Sequence, residues 1–229
     1  MNAGMVAQLD ALAELLHSDR LAPTSITDPR RVLEDHLADS LVALEVDGVR
    51  SARTIADLGS GAGLPALPLA IALPVARVTA VESNGRKAEF ITRAAAACGV
   101  ENVTVAPVRA EELREGRDSF DLVTARAVAA LPVVAEYAAP LLRLGGMALA
   151  WRGRRDSGDE AAAARAAPAL GLALLDPIHV EPYPGAAHRH LQHLVKVAET
   201  PPRFPRRPGM ARKRPLGADS RPASDRQRR

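Results

Sequence analysis

Hydrophobic positions follow a helical period in the first part of the chain. Val6, Leu9, Leu12 and Leu16 recur three or four residues apart and predict a helix up to about residue 18. A second helix is predicted from Pro29 to about residue 44, with its cap at 27–28. These helices precede every predicted strand, so we expect them to pack on the rest of the fold as an N-terminal cap.

After residue 50 the pattern changes to short apolar runs separated by helical segments. The runs predict strands at 54–58, 78–81, 100–105, 120–124 and 147–151, the last preceded by a turn at Gly145-Gly146. Two closing strands, at 172–180 and 191–197, have no long helix between them and are predicted to be antiparallel. The alternation predicts an α/β protein with a doubly wound, Rossmann-like sheet.

A glycine-rich turn follows the first predicted strand. The strand ends at Asp57, and Gly59, Gly61 and Gly63 follow before the next helical segment. Glycine adopts positive φ without steric cost, and its missing side chain lets a ligand lie against the backbone. The next strand ends at Glu82, whose carboxylate can accept both hydroxyls of a ribose at this edge of the sheet.

Two adenosine-bearing cofactors fit this loop. The pattern D-x-G-x-G-x-G, typical of S-adenosylmethionine sites, matches Asp57, Gly59, Gly61 and Gly63 directly. The dinucleotide fingerprint G-x-G-x-x-G/A fits only if Gly61, Gly63 and Ala66 are used. A turn that binds nothing is the third interpretation. The residues favour S-adenosylmethionine and leave the other two open.

Composition and charge narrow the class of protein. The chain has 229 residues, 47% of them hydrophobic, a single cysteine and no long uncharged apolar run. We therefore expect one main domain, a reducing compartment, no signal peptide, no membrane span and a cytoplasmic protein. The net charge of +3 is uneven, because residues 201–229 hold ten basic and two acidic side chains.

This basic end predicts a polyanionic partner, most plausibly nucleic acid. We expect residues 1–50 to form the helical cap, 51–200 the cofactor-binding domain and 201–229 an extended or disordered tail. The candidate phosphate contacts in that tail are Arg203, Arg206, Arg207, Arg212, Lys213 and Arg214, with Arg152, Arg154 and Arg155 elsewhere. His188, His190 and His193 do not share one strand face, so no metal site is expected.

Several segments together resemble the glucose-inhibited division protein B family, also called ribosomal RNA small subunit methyltransferase G. They are D-L-G-S-G-A-G-L-P, V-E-S-N-G-R-K-A-E-F-I, F-D-L-V-T-A-R-A-V-A, D-H-L-A-D-S-L near the start and F-P-R-R-P-G-M near the end. The resemblance extends over residues 8 to 216. Two positions depart from it: Ala66 stands where glycine is usual, and Asp35 precedes His36 where arginine is frequent.

The resemblance implies methyl transfer from S-adenosylmethionine to N7 of one guanine in 16S ribosomal RNA, with the RNA or the small subunit as partner. It implies that Gly59, Leu64, Ala110, Glu111 and Arg126 line the cofactor site. Arg126, at the end of the fourth strand, is the one candidate for direct contact with the reacting groups. Guanine N7 carries a lone pair and no proton, so no general base is expected. We also expect a monomer without a metal ion.

Overall fold

The computed structural model describes residues 3–26, 28–113 and 116–218. Its helices are α1 (Ala3–Ser18), α2 (Pro29–Arg31), α3 (Asp39–Leu41), α4 (Ala66–Ala72), α5 (Gly85–Ala97), α6 (Leu131–Ala138), α7 (Ser157–Leu170) and α8 (Met210–Lys213). Its strands are β1 (Thr54–Leu58), β2 (Arg77–Val81), β3 (Val103–Ala106), β4 (Phe120–Arg126), β5 (Leu142–Arg152), β6 (Leu172–Leu174), β7 (Ile178–His179) and β8 (His190–Lys196).

The strands form one mixed sheet in the order β3-β2-β1-β4-β5-β8-β6, with β7 also paired to β8. The first five strands are parallel, and β8 runs antiparallel to β5, β6 and β7. The order reverses direction beside β1, so the carboxyl ends of β1 and β4 border the crevice where open α/β sheets bind ligands. The predicted fold class and the antiparallel closing strands are confirmed.

The second helical segment contains a π-helix that the sequence did not predict. Asp28 caps α2 by accepting a hydrogen bond from the Arg31 N–H at 2.9 Å, and Pro29 takes the first position as expected. Between α2 and α3 the chain is π-helical over Val32–Ala38. Such a bulge rotates the following residues about the helix axis and is frequent at functional sites. Here it precedes Asp39, which faces the sheet.

The N-terminal helices share a hydrophobic core with one face of the sheet. Leu12 and Leu16 of α1 are buried in the cluster that also contains Ile55 of β1 and Leu67 of α4. Gln8 Nε2 donates to the Gly99 carbonyl at 2.9 Å at the end of α5. The helices thus pack on the sheet as expected, as part of its core.

One turn and one strand predicted within the second half of the sheet differ in the structure. Gly145 and Gly146 lie inside β5, beside an irregularity in its pairing with β4, so the expected turn is wrong. A Cβ at Gly146 would lie 2.8 Å from the Phe120 carbonyl oxygen, which explains why glycine is needed there. The single strand predicted at 172–180 is divided into β6 and β7, and both pair with β8.

The C-terminal segment is folded up to residue 218, so its predicted disorder is wrong for residues 201–218. Phe204 and Ala211 are buried in the core on the second sheet face. The buried carboxylate of Glu136 in α6 accepts hydrogen bonds from Arg206 Nε at 2.9 Å and from the Arg206 N–H at 3.0 Å. The amino-acid composition of this segment did not predict its packing on the sheet, because only a few apolar side chains take part in that packing. Residues 219–229 lie outside the described residues.

Arg206→Ala should destabilise the fold, because it leaves the Glu136 carboxylate buried without its counter-charge. Removing one partner of a buried ion pair costs about 3 kcal/mol or more. The measurement is the free energy of unfolding in urea. Arg207→Ala, which removes an exposed positive charge at the adjacent position, is the control and should stay within about 0.5 kcal/mol of wild type. Equal stability of both variants would contradict the expectation.

Candidate active site

The glycine loop joins β1 to α4 at the carboxyl edge of the sheet. Gly59, Gly61 and Gly63 all have positive φ, at 66°, 58° and 82°. A Cβ at Gly63 would meet Leu67 Cδ1 at 2.7 Å, and one at Gly59 would meet Val128 Cγ2 at 3.0 Å. The loop therefore needs these glycines both for backbone conformation and for close packing.

Glu82 is held in place by backbone groups on both sides. Its Oε2 accepts from the Gly61 N–H at 2.9 Å, and its Oε1 accepts from the Asn84 N–H at 2.7 Å. The side chain is buried at the end of β2. Because both oxygens retain free lone pairs, the carboxylate is oriented and can still accept further hydrogen bonds. The ribose contact expected of Glu82 stays a prediction.

Asp57 lies beneath the loop and does not reach its surface. Its carboxylate is fully buried, and Oδ1 accepts from the Thr124 hydroxyl at 2.7 Å. Ser60 donates to the Asp57 carbonyl at 3.0 Å. Burial raises the pKa of Asp57 to about 6, although hydrogen bonds oppose this. Asp57 thus supports the loop from the β1–β4 side.

Leu64 and Ala66 follow the loop and point into the core. Both side chains are buried, and Ala66 begins α4 with no exposed surface. Leu64 therefore exposes almost no surface to the site. The methyl group of Ala66, at the position where glycine is usual, is fully buried.

Ala110 and Glu111 form a 3₁₀ turn after β3, and Glu111 is directed at the C-terminal segment. Glu111 Oε1 accepts from the Tyr137 hydroxyl and from the Gly209 N–H, both at 3.0 Å. Burial alone would raise the pKa of Glu111, but the Gly209 N–H and the other donors outweigh it, so the pKa is lowered. The family resemblance implied that Glu111 lines the cofactor site. In the structure, the Glu111 carboxylate is bound to Tyr137 and Gly209.

Arg126 ends β4 and is bound by the N-terminal helices. Its Nη1 donates to Asp39 Oδ2 and to the Asp35 carbonyl, both at 3.1 Å. Trp151 Nε1 donates to the Asp39 carbonyl at 2.6 Å from the neighbouring strand. Burial raises the pKa of the Asp39 carboxyl, and the guanidinium of Arg126 opposes this. The sequence had indicated Arg126 but not its partner Asp39.

A cleft of about 370 Å³ opens beside this ion pair, at the carboxyl ends of β4 and β5. Arg126, Trp151, Arg154, Arg189 and His190 are among its lining residues. A larger cavity, of about 720 Å³, lies against β2 and β3 and includes neither the glycine loop nor Glu82. The smaller cleft contains Arg126 and Asp39 and, like the larger cavity, includes neither the glycine loop nor Glu82.

The predicted phosphate-binding residues differ in their availability. Arg206 is bound to Glu136, Arg152 to Asp159 and Arg155 to Glu160. Arg212 donates to the Val128 carbonyl at 3.0 Å. The remaining candidates are exposed, namely Arg154, Arg203, Arg207, Lys213 and Arg214. Because their side chains are largely buried in these ion pairs, Arg206 and Arg152 are poor candidates for binding RNA, whereas the Arg155 side chain is 61% exposed.

Comparison with known proteins decides between the cofactors. Residues 5–178 match the family model GidB, described as rRNA small subunit methyltransferase G. This chain belongs to that family. Its relative from Chloroflexus aggregans, named ribosomal RNA small subunit methyltransferase G, is 42% identical over 88% of this chain and 85% of its own. The relative of the same name from Deinococcus radiodurans is 41% identical over 87% and 80%.

Membership of this family confirms methyltransferase function and S-adenosylmethionine as cofactor, and the dinucleotide interpretation is dropped. Solved structures agree on the fold. An S-adenosylmethionine-dependent O-methyltransferase from Thermotoga maritima is 19% identical with a TM-score of 0.57, covering 83% of this chain and 72% of its own. The Methanococcus jannaschii fibrillarin pre-rRNA processing protein, also 19% identical, has a TM-score of 0.53 over 67% and 70%.

No helix among residues 3–26, 28–113 and 116–218 is long and apolar enough to cross a membrane. Within the same ranges, no group of three or more His, Cys, Asp or Glu residues is placed to hold a metal ion.

Glu82→Gln should weaken cofactor binding about 10- to 100-fold, because a neutral amide replaces an oriented carboxylate that accepts charge-assisted hydrogen bonds. Calorimetric titration with S-adenosylhomocysteine measures the affinity. Glu89→Gln, an exposed position on α5, is the matched control and should bind like wild type. An unchanged affinity in Glu82→Gln would remove Glu82 from the ribose site.

As pH rises from about 4 to about 6, the free energy of unfolding of wild type should fall relative to that of Asp57→Asn. The folded-state pKa of Asp57, about 6, lies above the ordinary value of 3.8. The unfolded chain therefore releases this proton first as pH rises, which favours unfolding across that window. Urea unfolding at several pH values tests this, with the exposed Asp10→Asn as control. A pH-independent difference between wild type and Asp57→Asn would contradict it.

Proposed function

We propose that the protein transfers the methyl group of S-adenosylmethionine to N7 of one guanine in 16S ribosomal RNA. The observation that carries the proposal is that the glycine loop, Glu82 and Arg126 follow the carboxyl ends of the neighbouring parallel strands β1, β2 and β4, along one edge of the sheet. Two relatives more than 40% identical carry the name ribosomal RNA small subunit methyltransferase G. Cofactor and RNA base would therefore approach each other from the two sides of Arg126.

The reaction requires little of the protein beyond positioning the cofactor and the base. When bound, S-adenosylmethionine supplies a methyl group made electrophilic by its sulfonium. The N7 lone pair forms the new bond to that methyl carbon, in line, as the carbon–sulfur bond breaks. N7 carries no proton, so no general base is required. The chain's own contribution is to orient both partners and exclude water from the cleft.

In this scheme Glu82 fixes the ribose, and the glycine loop places the rest of the cofactor against the backbone. Arg126 contacts the cofactor carboxylate or the incoming base. Ala110 contributes backbone atoms near the adenine. The contacts of Glu111 with Tyr137 and Gly209 hold this turn in position. These are roles for residues that the fold brings to one edge of the sheet.

The target guanine should be unpaired or displaced from its stack, because A-form RNA hides N7 in a deep, narrow major groove. The exposed basic residues Arg154, Arg203, Arg207, Lys213 and Arg214 would bind the flanking phosphates. Binding should therefore weaken as salt rises. A cytoplasmic location follows from this substrate, and the monomeric state stays a prediction.

Mapping of N7-methylguanine tests the function directly. Small-subunit RNA, both naked and assembled into subunits, is incubated with the protein and S-adenosylmethionine, then reduced and cleaved at N7-methylated positions. We expect one new cleavage site, lost without cofactor and diminished in Glu82→Gln. Transfer of labelled methyl to another atom of the RNA, or to none, would contradict the proposal. The second outcome would favour a protein that binds RNA without modifying it.

A further inference from the structure

One oxygen of the Asp39 carboxylate has no hydrogen-bond partner. Asp39 lines the cleft beside Arg126, and its side chain is 3% exposed. Oδ2 accepts from Arg126, but Oδ1 is buried without a hydrogen bond. A buried, unsatisfied carboxylate oxygen costs more than a satisfied one, so its retention in a cleft suggests that a ligand supplies the missing donor.

A second cation near this carboxylate, Arg189, is held more loosely than Arg126. Arg189 Nε lies 3.6 Å from Asp39 Oδ1, too far for a hydrogen bond. Its other contacts are a 3.3 Å hydrogen bond to the Tyr183 hydroxyl and a 3.7 Å approach to Asp35 Oδ1. The Arg189 side chain is 38% exposed and can leave toward solvent. It occupies the position of a donor that a ligand could replace.

Arg126 and Asp39 together present a donor beside an acceptor. The Watson–Crick edge of guanine carries the complementary order, with O6 as acceptor followed by the N1–H and 2-amino donors, and N7 next to O6 on the other side. Adenine carries a donor amino group where guanine has O6. Enzymes that act on an extruded base read this same edge. The pair therefore matches guanine and mismatches adenine.

We propose that the cleft receives the target guanine and that the Arg126–Asp39 pair reads its edge, Arg126 donating to O6 and Asp39 accepting from N1–H and the 2-amino group. This inference rests on the proposed function and deepens it. Since O6 lies between N7 and N1, a base held in this way turns N7 away from Asp39 and toward the glycine loop. Arg189 leaves the carboxylate as the base enters, and its charge becomes available for a flanking phosphate.

The test combines a substitution at Asp39 with removal of the 2-amino group from the base. Inosine lacks the 2-amino group of guanosine but keeps N7, so it alters recognition and leaves the nucleophile in place. The guanosine mapped as the methylation site is replaced by inosine in ligated small-subunit RNA. Single-turnover methylation rates are then measured on both RNAs with wild type, Asp39→Asn and Asp35→Asn. Asp35→Asn is the control, because Asp35 belongs to the same charged network without lining the cleft.

Wild type should methylate the inosine RNA about 10- to 100-fold more slowly than the guanosine RNA, as expected for loss of one charge-assisted hydrogen bond. Asp39→Asn should be slow on both RNAs at nearly equal rates. Its amide oxygen accepts from Arg126, so its amino group faces the base and no longer accepts from the 2-amino group. Asp35→Asn should retain the wild-type ratio of rates.

Two results would overturn the inference while the proposed function stands. One is equal rates of wild type on guanosine and inosine RNA, which needs no variant and so does not depend on whether Asp39→Asn folds. The other is a folded Asp39→Asn protein whose ratio of rates on guanosine and inosine RNA equals that of wild type. That result would leave Asp39 only a structural role. Failure of the proposed function shows separately, as absence of N7 methylation by wild type on the unmodified RNA.

Discussion

A buried ion pair joins the two parts of the chain on which the site depends. Arg126 ends a central strand, and its guanidinium needs a counter-charge that the sheet does not supply. Asp39 supplies it from the N-terminal helices at 3.1 Å, and Trp151 donates to the Asp39 backbone from the next strand. A buried pair of this kind contributes more to the specificity of the arrangement than to net stability. It fixes how the helices sit over the crevice.

The glycine loop, on the side of the site where the cofactor is expected, is held almost entirely by hydrogen bonds from backbone groups. The Gly59 and Ser60 N–H groups both donate to the Val81 carbonyl, and the Gly61 N–H donates to Glu82. The loop and the end of β2 are thus held as one unit before any ligand arrives. Such preorganisation lowers the entropy lost on binding. It also explains why small residues and one carboxylate suffice for this half of the site.

Sequence reasoning predicted the parts of the fold that local pattern determines. The periodicity indicated the N-terminal helices, the strands and the antiparallel closing pair, and the glycine spacing with Glu82 indicated the cofactor loop. Long-range pairing was not predictable. Asp39 looked like any charged residue on a helix, because nothing local shows that Arg126 lies opposite it. Arg206 looked like part of a basic tail, since Glu136 lies seventy residues earlier in the chain.

The contact of Glu111 with Gly209 also sets an order of events during synthesis. The two residues are separated by 98 positions, and Gly209 belongs to the last segment of the fold. Domains form from the amino end as the polypeptide leaves the ribosome. The nascent chain can therefore assemble its helices, glycine loop and central strands first. Glu111 can acquire its Gly209 donor only after the chain has been made well past residue 209, so this contact forms later than the glycine loop and the central strands.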